Sequence, residues 1–69
     1  MERSIAQEYQ QNEAKIRLRI EQLNEGCNKS GLFWLGSIEA MHIREKINQL
    51  TMRNYDLELL DSFLELHTN

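Results

Sequence analysis

The apolar residues of this chain repeat at helical spacing on both sides of one short break. Ahead of the break, Ile5, Tyr9, Ile16, Ile20 and Leu23 share one narrow face at about 100° per residue, with Asn12 interrupting it and Leu18 opposite. Ser4-Ile5-Ala6-Gln7 fits an S-x-x-Q capping box, in which Ser4 accepts from the Gln7 amide. Gly26 follows Glu25 and can take the left-handed position that ends a helix. The spacing therefore predicts a first helix over about 5–25, roughly 31 Å long.

The break, about 26–37, has two halves. Asn28-Lys29-Ser30-Gly31 is polar and turn-like, whereas Leu32-Phe33-Trp34-Leu35 is apolar. The apolar run reads as a plug closing the end of a hairpin. Its alternative is an aromatic anchor for a partner, because Trp is enriched at binding hot spots. Ser37 is a good N-cap, with Glu39 in the following turn. A start at Ser30 is the alternative, if Gly36 is tolerated inside the helix.

Beyond the break, about 38–66 contains no strong helix breaker. Two apolar stripes run along it. Ile43, Ile47, Leu50, Leu57, Leu60 and Leu64 form the first, and four of them recur at the heptad interval. Ile38, Met41, Met52, Tyr55, Leu59, Phe63 and Leu66 form the second, almost opposite, and Trp34 would extend it. The first helix has one stripe and covers only one of these. A helix apolar on two sides is normally held between two neighbours. A rival arrangement breaks the helix within 51–56, with Asn54 capping a third helix from Tyr55 to His67. The continuous helix is preferred, because both stripes cross this segment without a phase slip. The expected fold is all-α: a single-domain, two-helix antiparallel hairpin over 1–69, dimerising into an antiparallel four-helix bundle.

Composition sharpens this reading. A chain of 69 residues buries only about 60% of its unfolded surface, so a lone core is marginal. One cysteine, Cys27, excludes an internal disulfide, and two histidines with one cysteine cannot complete a four-ligand zinc site. Association, with itself or with a partner, or unusually good helix packing remains as the route to stability. A net charge of −3 and a pI near 5.3 argue against a general nucleic-acid binder. No apolar run is long enough to span a membrane, and Met1-Glu2-Arg3-Ser4 lacks the apolar core of a secretory signal. With a free thiol, these features fit a reducing cytoplasm.

Candidate chemistry is sparse. Glu39-Ala40-Met41-His42 has the Glu-x-x-His spacing of di-iron carboxylate bundles, with both side chains near the first stripe. The facing carboxylate is missing, since Glu21 and Glu25 point away from the apolar face of the first helix. His42 alone reads as a partly exposed residue near the hinge, and His67 as a complement to the helix dipole. Cys27 reads as a half-buried small residue, not a nucleophile. Glu13 and Arg17 are spaced to pair along the helix, and Glu58, Asp61 and Glu65 form a solvated flank. Lys15 and Arg19 make the only basic patch. No nucleophile–base–acid arrangement, Gly-rich phosphate loop or carboxylate pair is present, so no enzyme activity, metal or cofactor is expected.

The layout of helix, short Gly-Leu loop and second helix is similar to the small helical-hairpin phosphatases that act on response regulators of sporulation. The corresponding residues are Gly31-Leu32 and Arg44-Glu45-Lys46-Ile47-Asn48. Arg44 and Asn48 stand where that family has the Ser and Asp of Ser-Gln-Glu-Leu-Asp, and Ile47 keeps the apolar character. The motif's carboxylate is missing, and no catalytic residue carries over.

The function expected from the residues is that of a small non-enzymatic regulatory or adaptor protein working by protein–protein contact. Its dimer or partner surface would comprise Trp34, Ile38, Met41, Met52, Tyr55, Leu59, Phe63 and Leu66. The expected partners are a second copy of the chain and an unidentified protein, not a membrane or nucleic acid. The alternatives are a nucleic-acid-associated regulator using Lys15 and Arg19, and a phosphatase-like or metal-binding bundle.

Overall fold

The computed structural model describes residues 2–67, with side chains described over 4–66. Helix α1 spans Glu2–Ser30, a 3₁₀ turn covers Leu32–Gly36, and helix α2 spans Ile38–His67. The helices run antiparallel, bringing Glu8 beside Arg53 and Asn12 beside Asn54. The molecule is a thin hairpin with extents of 53 × 16 × 12 Å. The three-helix alternative is not the fold, because α2 passes unbroken through 51–56.

Both ends of α1 differ from the sequence expectation. Ser4 lies inside the helix, so the Ser4–Gln7 capping box does not form its start. Gly26 does not end it either. The stop is Gly31, whose φ of 84° and ψ of 173° fall in a region essentially confined to glycine. Its N–H still donates to Cys27 O at 2.7 Å, closing the last helical turn. Gly26 serves another purpose: a methyl group there would overlap Cη2, Cζ3 and Cε3 of Trp34. The missing side chain lets the indole lie directly on α1.

The entry to α2 follows the sequence expectation. Ser37 Oγ accepts from the Ala40 N–H at 3.1 Å, satisfying a donor of the first turn. The Ser37 N–H donates to Trp34 O at 2.9 Å, which ties the cap to the 3₁₀ turn. Arg44 Nη1 reaches back to donate to Leu35 O at 3.2 Å. Cap, indole and guanidinium together fix the closed end of the hairpin.

The seam between the helices follows a seven-residue repeat on each. On α2 it contains Ala40, Ile47 and Asn54 alternating with Ile43, Leu50, Leu57 and Leu64, all buried or half-buried. On α1 it contains Ile5, Asn12, Arg19 and Gly26 alternating with Tyr9, Ile16 and Leu23. A 3.5-residue period, not 3.6, describes this seam. That difference moves Arg19 onto it at half burial and leaves Ile20 44% exposed, contrary to the stripe expected for α1. Leu60, assigned to the first stripe of α2, is likewise exposed at the seam's edge. Among the described residues, only Ala40 and Leu57 are fully enclosed apolar side chains, at 0% and 3% exposure. The hairpin therefore has a one-layer core.

Candidate interaction surface

The outer face of α2 lies opposite this seam. Ile38, Met52, Leu59 and Leu66 recur along its midline, and Met41, Tyr55 and Phe63 flank them. Each of these seven is more than half exposed, and Met52, near the middle of the helix, is 69% exposed. Seven large apolar side chains aligned along one helix form a patch of the kind soluble monomers seldom leave open. Glu45 and Asn48 interrupt the midline between Met41 and Met52, so the patch is densest from Met52 to Leu66.

Trp34 does not continue this face. It is half-buried against Gly26 inside the closed end. Its neighbours in the 3₁₀ turn behave otherwise: Phe33 is 98% exposed and Leu32 is also open. The apolar run thus divides into an internal plug, Trp34 with half-buried Leu35, and an exposed tip.

The open half of the hairpin is held by a polar clasp that the sequence pattern did not reveal. Asn12 and Asn54 are buried, at 5% and 4% exposure, and Asn12 Nδ2 donates to Asn54 Oδ1 at 2.9 Å. Asn54 Nδ2 donates in turn to Tyr9 O at 3.2 Å and Glu13 Oε2 at 3.4 Å. Asn54 is therefore a seam residue, not a helix cap, and Glu13 turns across to α2 instead of along α1 to Arg17. Arg53 grips Glu8 with two donors, Nε at 2.6 Å and Nη2 at 3.2 Å. The Tyr9 hydroxyl donates to Glu58 Oε2 at 2.6 Å. The Arg53 hydrogen bonds hold the Glu8 carboxyl below its ordinary range, and Glu8 raises the Arg53 guanidinium reciprocally. The bond to Glu58 raises the Tyr9 phenol. No buried side-chain nitrogen or oxygen among the described residues lacks a partner.

The other candidate residues are scattered. Glu39 and His42 are both exposed instead of turned into the seam. Among the described residues, no group of three His, Cys, Asp or Glu side chains is placed to hold a metal ion. Cys27 is a free, half-buried thiol beside Gly26. Arg19 is half-buried, donates to Gln22 Oε1 at 3.3 Å and borders a groove with His42 and Ile43, whereas Lys15 is exposed. Asp61 and Glu65 are exposed as a solvated flank requires, while Glu58 is engaged by Tyr9. The His67 side chain lies outside the described residues. No described helix is long and apolar enough to cross a membrane. No protein-family model, curated protein or solved structure matches the chain.

Proposed function

We propose that this chain is a small non-enzymatic regulatory or adaptor protein of the cytoplasm, acting by protein–protein contact through the outer face of α2. The observation that carries this reading is the opposition of two apolar faces on one helix. The inner face is spent on α1, and the outer one, from Ile38 to Leu66, remains open along the whole helix. Sequestering such a face yields on the order of 25 cal/mol per Å² of apolar surface, a strong drive toward association for a chain with a one-layer core. Large exposed side chains such as Tyr55 and Phe63 are suited to act as anchors. Contact is thus the activity that the geometry supports, with the polar clasp and the Trp34 plug holding α1 on the inner face of α2.

The test uses the single substitutions Met52→Glu and Leu59→Glu. Both positions are exposed in the hairpin, so circular dichroism should show undiminished helix under conditions where the isolated hairpin is folded. Association, with itself or with a protein recovered from the host, should fall sharply. Variants that keep every association of the parent chain would refute the reading.

A further inference from the structure

We infer that the occupant of the outer α2 face is a second copy of the chain, with the two α2 helices antiparallel about a twofold axis at Met52. This rests on the contact reading above and adds the partner, its direction and its register.

Three observations point to it. First, the two ends of the outer face are balanced about Met52, while Leu59 and Tyr55 nearer the centre have Glu45 and Gln49 as their counterparts. Ile38 and Leu66 are equally distant from it along α2, as are Met41 and Phe63, while Met52 lies at the middle of the helix. An antiparallel copy in this register sets Ile38 at the level of Leu66 of the partner subunit and Met52 against Met52 of the partner subunit. Nearly the full length of both helices then overlaps. Second, charge is unevenly divided along α2. Its first half is balanced, with Arg44 and Lys46 against Glu39 and Glu45, whereas its second half carries Asp56, Glu58, Asp61 and Glu65 against Arg53 alone. Antiparallel pairing sets the charge-balanced half of each helix beside the acidic half of the other. Parallel pairing would set the acidic halves together, and in an already acidic chain like-charge contact disfavours that arrangement. Third, the extent suits a stable dimer. Helix α2 has 30 residues, about 45 Å of helix, and a helix pair overlapping over that length approaches the roughly 800 Å² per partner of a standard interface.

The geometry also orders the helices. Because the outer face is opposite the α1 seam, the hairpins join edge to edge. The two α2 helices become the central pair and the two α1 helices lie outermost, a flatter assembly than a square four-helix bundle.

Site-directed thiols test this directly. Cys27→Ser removes the native thiol, and single cysteines are then introduced at exposed sites. Met52→Cys should oxidise to a covalent dimer by itself. Ile38→Cys and Leu66→Cys, mixed and refolded from urea, should link to each other and not to themselves. Leu18→Cys, on outermost α1, should stay unlinked. Self-linking of Ile38→Cys would show parallel helices, and preferential linking of Tyr55→Cys over Met52→Cys would shift the axis; either overturns the pairing and leaves the contact reading intact. Absence of every α2 link from a chain that sediments as a dimer would also overturn the pairing. Absence of links together with unaltered associations in Met52→Glu would end both.

Discussion

Asn12 and Asn54 meet side chain to side chain in the middle of the seam, 2.9 Å apart and almost completely enclosed. A polar residue at a seam position specifies register at a cost in stability. Here two such residues satisfy each other, and Asn54 is further held by Tyr9 O and Glu13. Sliding α1 by one turn would leave both amides buried against apolar neighbours, so the pair fixes which turns of the hairpin face each other.

Replacing one partner should therefore be worse than replacing both. Asn12→Leu leaves the Asn54 oxygen without its donor, at a cost of about 1–3 kcal/mol. The double variant Asn12→Leu/Asn54→Leu should regain much of that stability while losing a unique register. Urea denaturation reads the first effect, and heterogeneous amide NMR signals read the second. A single variant as stable as the parent would remove the Asn pair from this role.

The closed end depends on two glycines for different reasons. Gly26→Ala should expel the Trp34 ring from α1, shifting the emission of the chain's only tryptophan to longer wavelength. Gly31→Ala has open space around it but an unfavourable backbone, costing on the order of 1–3 kcal/mol with little change in emission. Identical emission spectra for the two variants would contradict this division.

Within the core, Leu57→Ala should cost about 2–5 kcal/mol, because Leu57 is almost fully enclosed. Ile47→Asp should also destabilise strongly, placing a charge on the half-buried seam. Leu18→Asp should stay within about 0.5 kcal/mol of the parent, since Leu18 is 61% exposed on α1. Equal losses at Ile47 and Leu18 in thermal melts would show the seam to be misplaced.

The clasp predicts opposite pH limbs. The Glu8 carboxyl is lowered from 4.5 by the Arg53 hydrogen bonds. Its contribution is present above the unfolded value and is lost as pH falls through the lowered folded value. Tyr9 is raised from 10.0 by donating to Glu58, so its contribution is present below that value and is lost as pH rises through the raised one. Glu8→Gln should flatten the acid limb of a stability–pH curve, and Tyr9→Phe the alkaline limb. Both groups are near solvent, so added salt should shrink the Glu8 contribution. An acid limb unchanged by Glu8→Gln would contradict the assignment.

Much of the fold was legible in the sequence because it rests on local signals. The long breaker-free run of α2, its two stripes and the Ser37 cap are all visible within a few residues of one another. The end of α1 was not, because Gly26 is glycine on account of Trp34, and close packing between distant residues leaves no local trace. The clasp was hidden for the same reason. Asn12 looked like an interruption and Asn54 like a cap until the fold set them side by side, and Glu8 and Tyr9 meet Arg53 and Glu58 only across the hairpin. The Arg19–Ile20 exchange came from the period: a phase counted at 3.6 residues drifts off a seam that repeats every 3.5. The candidate face was legible as a second stripe, except for Trp34, which packs inward.

The most direct test of the central claim, that the outer face of α2 associates with a second copy of the chain, is sedimentation equilibrium of the unmodified chain beside Met52→Glu at tens of micromolar. The account predicts a dimer mass for the parent and a monomer mass for the variant. A parent chain that stays monomeric and still melts cooperatively would contradict it.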